Sequence, residues 1–403
     1  MNQTSLNRSF TTWSLLGFAA PSIIMMVFMS LYTIVDGIFI SRFVGSNALS
    51  SLNIVYPMIS VVIAIATMFA TGGNAIVSRY LGQGQEKQER KALTEFVVIG
   101  VLISTVFAVL VILFENPICR ILGANDELMA DCKAYLTISM LFAPACTLQT
   151  LFQSYFVTAS RPGLGLWLTV AAGILNAVLD YVLIVPIPLG IAGAALATGF
   201  GQLLPAAVGL IFFAIPHKTL RFCRFSFRPR EIRDACINGS SEMIGQMATA
   251  ITTFLFNIIL MRLAGSDGVA AMTILFYGQF LFNAFYLGFA IGIAPVVGYQ
   301  YGAGNRRELR KIYRISFLFT VISSIAASII LATPIVSVFT KEPETFALAD
   351  AGFKIFALNF LFSGVNLVSS GFFTALSNGK ASAWISFART LLFMVGFLLI
   401  LPQ

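Results

Sequence analysis

Charge is scarce in this sequence: Asp, Glu, Lys and Arg together make up 10% of 403 residues. A soluble domain of that length carries about a quarter of its residues charged, so a soluble fold is excluded. Histidine occurs once, at His217 in a basic loop, which argues against a histidine metal site or proton relay. The five cysteines, Cys119, Cys132, Cys146, Cys223 and Cys236, show no CxxC spacing, so neither a disulfide framework nor a zinc site is expected. No GxxxxGK[ST] occurs. Its nearest relative, Asn378-Gly379-Lys380-Ala381, lacks the first Gly and the Ser/Thr. With no nucleophile–base set either, no enzyme and no cofactor are expected. The first apolar stretch, Trp13 to Ile40, is too long for a signal peptide and lacks a small-residue cleavage pattern.

Apolar residues fill the place of the missing charge. The chain is 58% hydrophobic with a mean hydropathy of +0.88, and apolar runs long enough to cross a bilayer recur along it. They predict spans at 13–40, 53–78, 92–114, 134–158, 164–186, 190–215, 237–261, 270–298, 313–337, 352–375 and 381–402. The class is therefore an all-α, multi-pass membrane protein. With the N-terminus inside, the inner loops receive eighteen Lys and Arg against six outside, which fixes the orientation by the positive-inside rule. The net charge of +8 then reflects topology, and no nucleic-acid partner is expected.

The chain also repeats itself. RFVGSNALSSLNI (42–54) aligns without gaps on RLAGSDGVAAMTI (262–274), an offset of 220 that also matches Gly82 and Gly84 to Gly302 and Gly304. Further on, YFVTASRPG (155–163) resembles GFFTALSNG (371–379), and Trp167 matches Trp384 at an offset of 217. This predicts a first lobe at 1–215, a basic linker at 216–236 and a second lobe at 237–403. Six spans are expected per lobe. An even number makes the repeats parallel, related by a pseudo-twofold axis along the membrane normal. The second repeat would need a twelfth helix that this sequence does not contain.

A few polar residues interrupt the spans. Asn176 and Asp180 stand one turn apart in LNAVLDYVLI (175–184), and Asp36 lies near the outer end of the first helix. An acid at mid-membrane costs roughly 2.5–3.5 kcal/mol on insertion scales, so such residues are functional candidates by default. Counted from their helix ends, Asp36, Asn176, Asp180 and Thr198 all fall in the outer half of the bilayer, where they can meet. The second-lobe equivalents of Asp36, Asn176 and Asp180 are Phe256, Phe393 and Phe397. That asymmetry favours a site over generic helix glue. The set suits either a proton carrier or a Na⁺ site, and the sequence leaves both open.

Pro21 weakens the first helix's ladder and reads as a bend. Glu242, with Gln246 one turn on, is placed to attract cations near the inner boundary, or to snorkel there. Arg389, deep in the last span, reads as an internal counter-ion or, the favoured reading, as a packing hydrogen bonder. Met25, Met26 and Met29 read as packing surface, Gly72–Gly73 as a close approach, and the Gly82/Gly84 and Gly302/Gly304 pairs as helix stops.

With these residues in place the sequence resembles the MATE family, the multidrug and toxic compound extrusion transporters. The resemblance rests on Pro21 and Asp36, SRYLGQGQ (78–85), LNAVLDYVLI, GIAGAALATGFGQ (190–202), GYQYGAGN (298–305), and Arg389 with Leu401-Pro402. It implies two lobes around a central cavity and exchange of H⁺ or Na⁺ for organic cations or amphipathic drugs. It also implies that Asp36, Asn176, Asp180 and Thr198 form a first-lobe cation network. The expected protein is a monomeric antiporter of the bacterial inner membrane, whose partners are small-molecule substrates and the lipid bilayer. The alternatives are a flippase of lipid-linked sugars, disfavoured because Arg389 is the sole base deep within a span, and an inactive or assembly subunit.

Overall fold

The computed structural model describes residues 5–216, 220–330 and 343–400, and among them the regular structure is entirely helical. A short 3₁₀ turn, Ser5–Asn7, leads into α1 (Thr12–Phe43), α2 (Ser46–Gly82), α3 (Glu86–Leu113) and the short α4 (Glu115–Ile121). The first lobe continues through α5 (Met129–Leu141), α6 (Ala143–Thr158), α7 (Pro162–Ile184) and α8 (Ile191–Ala214). The second lobe holds α9 (Pro229–Gly302), α10 (Arg306–Ile330), α11 (Pro343–Ala375) and α12 (Gly379–Phe387). A π-helical stretch, Ala388–Val395, follows and passes into α13 (Gly396–Ile400). Among the described residues nine helices are long and apolar enough to cross a membrane, or ten when the bent pair α5–α6 counts as one span. His217, Lys218, part of the expected span 313–337 and the Leu401-Pro402 pair lie outside the described residues.

Three expectations are corrected. The expected span 134–158 is broken by 51° between α5 and α6. Pro144 explains the break, since it lacks the N–H the helix needs and disfavours helical geometry at the residue before it. The second lobe's first helix begins at Pro229 rather than 237. The segment expected as a loop between spans at 237–261 and 270–298 is helical, because α9 is continuous for 74 residues. A straight helix of that length would measure about 111 Å, yet the rings of Phe256 and Phe276 lie 5.3 Å apart. The helix therefore doubles back between them and supplies two antiparallel limbs.

The repeat is visible as a pair of mirrored contacts. A β-carbon on Gly82 would stand 2.0 Å from the Tyr299 carbonyl oxygen, and one on Gly302 would stand 2.1 Å from that of Arg79. Gly82 and Gly302 are equivalent at the 220 offset, and so are Arg79 and Tyr299. Gly298, similarly, faces Ser78, its own equivalent. A pseudo-twofold axis thus runs between α2 and the second limb of α9, with both helices ending at the same side. The repeats are parallel, and the absent side chains at 82 and 302 let the two backbones touch.

Both helices stop where the sequence places glycine beyond them: Gly84 and Gly304 adopt φ of 69° and 70°, the left-handed geometry that favours glycine. The same end carries the loops rich in Lys and Arg, and is called the basic end below. Two apolar cores cross the lobe boundary there. One joins Leu6, Phe10, Leu15 and Phe18 to Phe289, Val297 and Ile312 of the second lobe. The other joins Leu220 and Ala235 to Phe96 and Phe152 of the first. Among the described residues the core at the opposite end, around Ile40, Val55, Leu136 and Ile184, belongs to the first lobe alone.

Candidate cation-coupling site

α1 brings Asp36 to the site. It starts at a capping box in which the Ser14 N–H donates to Thr11 Oγ1 at 3.3 Å and the Thr11 N–H to Ser14 Oγ at 2.8 Å, an arrangement worth about 1 kcal/mol. The helix runs unbroken through Pro21. Three first-lobe helices are drawn together by absent side chains. Gly173 of α7 accepts Phe28 of α1, to whose ring a β-carbon would come within 2.7 Å. Gly201 of α8 sits against Asn176, 3.2 Å from the Asn176 Cβ by the same measure, and Gly193 lies against the Leu183 backbone.

This packing delivers Asp36 and Asp180 to one another, their carboxyl groups within hydrogen-bonding range. Asp180 is 2% exposed and Asn176 5%, and Oδ1 of each acid is buried without a hydrogen-bond partner. One turn below, Asn176 Nδ2 donates to Thr198 Oγ1 at 3.5 Å, the long end of a hydrogen bond. All four residues singled out in the sequence therefore gather in the first lobe. Two ionised carboxylates at this separation repel strongly in a low dielectric. A proton or a cation between the oxygens would relieve that repulsion, and the Oδ1 atoms have no other partner.

Sequence reasoning missed Tyr135. On α5, ahead of the Pro144 bend, it is buried and lies within electrostatic reach of both acids. A tyrosine near a span end reads as an interfacial belt residue, so no local signal marked it. The bend also turns Phe142 towards α8, where Gly199 leaves room for its ring.

The second lobe keeps the scaffold and lacks the site. In the first, Gln153 Nε2 donates to Thr169 Oγ1 at 3.2 Å between α6 and α7. The equivalents at the 217 offset, Ser370 and Ser386, share a hydroxyl bond of 3.1 Å. Yet the equivalents of Asn176 and Asp180, Phe393 and Phe397, stack on each other with centroids 6.3 Å apart. The repeats thus share a helix-joining bond and differ at the acids.

Glu242 and Gln246 lie on the first limb of α9 and not beside these acids in sequence or lobe. Glu242 lies within electrostatic reach of Arg389 in the second lobe. Arg389 occupies the π-helical stretch, its Nε buried and unpartnered. Among the methionines, Met25 is buried against Gly165, and Met29 accepts from Gln153 Nε2 at 3.3 Å. Among the described residues no cluster of three or more His, Cys, Asp or Glu is placed to hold a metal ion.

Comparison with known proteins decides the family. The MatE family model matches residues 21–182 and 243–399, one block in each lobe. The chain belongs to the MatE family. Members of this family are transporters, not enzymes. Among curated relatives, the Multidrug export protein MepA of Staphylococcus saprophyticus is 23% identical over 370 residues, covering 91% of this chain and 82% of the relative. Among solved structures, a MATE protein in complex with MaL6 superposes with a TM-score of 0.92 at 19% identity, over 99% of this chain and 92% of that one. An outward-facing MATE transporter of the MOP superfamily gives 0.90 at 19% identity, over 98% and 90%. At such identities these likenesses show the MATE fold.

Proposed function

We propose that this MatE-family chain is a secondary multidrug exporter of the bacterial cytoplasmic membrane. It exchanges H⁺ or Na⁺ for organic cations and other amphipathic compounds, with its N-terminus and basic end in the cytoplasm. The observation that carries this reading is the meeting of Asp36 and Asp180, two intramembrane carboxyls from separate helices, in one lobe only and with an orphaned oxygen on each. A coupling ion entering from outside neutralises the pair. Its arrival changes the packing of α1 against α7, and its departure to the cytoplasm resets it. Asn176 and Thr198 tune the pair from one turn below, and Pro21 gives α1 a point of compliance between the acids and the lobe seam. Ion and substrate favour different states, so each weakens the other's binding. The relative MepA is a multidrug export protein, which supports the substrate class.

The test uses purified protein in liposomes of known orientation, loaded with a fluorescent organic cation. A pH gradient and a Na⁺ gradient are imposed separately on wild type, Asp36→Asn and Asp180→Asn. Transport driven by one gradient and lost in both variants is the expected result and names the ion. Undiminished transport in both variants overturns the assignment of the acids.

A further inference from the structure

The basic end is closed by more than the glycine seam. Ser5–Thr11 precedes α1 and so belongs by chain to the first lobe, but it docks on the second. Leu6 and Phe10 are fully buried in the second lobe's core. The Leu6 carbonyl accepts from Gln300 Nε2 at 3.1 Å. The Phe10 N–H donates to Glu308 Oε1 at 2.7 Å, and Ser9 Oγ donates to Glu308 Oε2 at 3.2 Å. Lys311 Nζ adds a bond to Ser9 Oγ at 3.1 Å. Glu308 itself is 8% exposed and sits in the first turn of α10.

The linker makes the reciprocal crossing. Leu220–Arg228 precedes α9, the first helix of the second lobe, and docks on the first. Leu220 is buried beside Phe96 and Phe152, and the Cys223 N–H donates to Thr94 Oγ1 at 3.0 Å. Arg228 closes on Glu95 through its backbone N–H and through Nε at 3.0 Å, and its Nη1 donates to Gln88 Oε1 at 3.1 Å. Positions 88 and 308 are equivalent at the 220 offset. The same site in each repeat therefore catches the strap that leads into the other lobe's first helix.

We propose that these two reciprocal straps are a latch that holds the basic end shut, with Glu308 as the lock of the N-terminal strap. The inference rests on the exchange reading proposed above only in what it says of transport; the latch itself is a statement about the two lobes. Any opening at the basic end parts α2 from the second limb of α9, and the seam also runs between α1 and that limb, where Gly288 and Gly292 lie against the backbones of Ile23 and Ala19. The N-terminal strap spans that seam. Opening must then draw Leu6 and Phe10 out of the second lobe and break the Glu308 bonds, or tear the strap's hold on α1, whose start is stiffened by the Thr11–Ser14 box. The latch favours the state open at the opposite end, and its release gates exposure to the cytoplasm.

Two measurements test it. Lys87 and Arg307 are exposed, repeat-equivalent and on opposite sides of the axis. Nitroxides at Lys87→Cys and Arg307→Cys, in a Cys223→Ser, Cys236→Ser background, report the lobe separation at the basic end by double electron–electron resonance. Wild type gives a short distance. Glu308→Ala is expected to raise the long-distance population at least threefold, whereas Glu308→Gln, which keeps an acceptor as Gln88 does, stays close to wild type. An unchanged distribution in Glu308→Ala overturns the latch, and this readout needs no transport. In the second measurement Ser9→Cys and Lys311→Cys are bridged with a short bis-thiosulfonate. Efflux of a fluorescent cation should fall at least tenfold and return on reduction. Efflux that continues through the bridged protein overturns the requirement for release. A wild type that moves no cation sinks the transport reading and leaves the distance measurement to decide the latch.

Discussion

A β-carbon on Gly302 would stand 2.1 Å from the Arg79 carbonyl oxygen, and one on Gly82 would stand 2.0 Å from that of Tyr299. A methyl group at either position meets backbone, which cannot rotate away. Gly82→Ala and Gly302→Ala should each cost about 1–3 kcal/mol through overpacking and widen the distance between labels at positions 87 and 307. Gly17→Ala is the matched control, since nothing lies within 4 Å of its added carbon. In a helix interior, alanine there should be neutral or stabilising by up to about 1 kcal/mol. Thermal unfolding in detergent separates the two cases.

Removing charge from Asp36 or Asp180 should not unfold the protein. The two buried carboxyls face each other with unpartnered oxygens, so an amide relieves repulsion at neutral pH. Asp36→Asn and Asp180→Asn are expected to match or exceed the wild-type unfolding temperature while losing ion-driven efflux. A variant that is inactive and melts well below wild type would show that the acids serve packing.

Asn176 and Thr198 should matter unequally. Their bond is long at 3.5 Å and contributes about 1 kcal/mol or less. Thr198→Val, which keeps the shape, should slow efflux only a few-fold. Asn176→Leu places a branched carbon chain beside Asp180 and should slow it at least tenfold. Initial rates at a fixed ion gradient give the comparison.

Two arginines offer a contrast in stability. Arg228 pairs with Glu95, whose side chain is 0% exposed. Arg228→Ala strands a buried carboxylate and should cost about 3–5 kcal/mol. Arg120 pairs with Asp126 where the side chains are 66% and 88% exposed, so Arg120→Ala should cost less than about 1 kcal/mol. Melting curves of both variants check the ranking.

Cysteine labelling tests topology. Cys119, Cys132 and Cys146 are buried, and Cys223 and Cys236 are partly exposed. A maleimide should modify at most the latter pair in the folded protein. With the basic end cytoplasmic, a membrane-impermeant reagent should reach Cys223 in inside-out vesicles and not in intact cells. Labelling in intact cells reverses the orientation.

Much of this was legible along the chain. Long apolar runs announce the spans because a bilayer tolerates little else, and the offset of 220 matched Gly82 to Gly302 as equivalent helix stops. Asp36, Asn176 and Asp180 stood out because charge and amide groups are rare in hydrocarbon, and the phenylalanines at their repeat positions supplied the contrast. What escaped notice depends on contacts distant in sequence. Tyr135 looks like any tyrosine at a span end until the Pro144 bend is folded. Glu308 looks like a helix-start acid until Phe10 arrives at its oxygen, and Gly82 looks like a helix stop until Tyr299 lies against it. The π-helical setting of Arg389 has no signature in composition at all.

Ser78 faces Gly298, the same position counted from the start of each half. In a chain of half this length closing on an identical copy, whatever occupied that place would meet itself, so only the smallest side chains would fit. Joined halves escape that demand, because each side of the axis can mutate alone. One keeps a hydroxyl where the other has none, as one keeps two acids where the other has two phenylalanines. The covalent join between the halves is thus what leaves one side of the seam free to carry the acids while the other keeps only the scaffold.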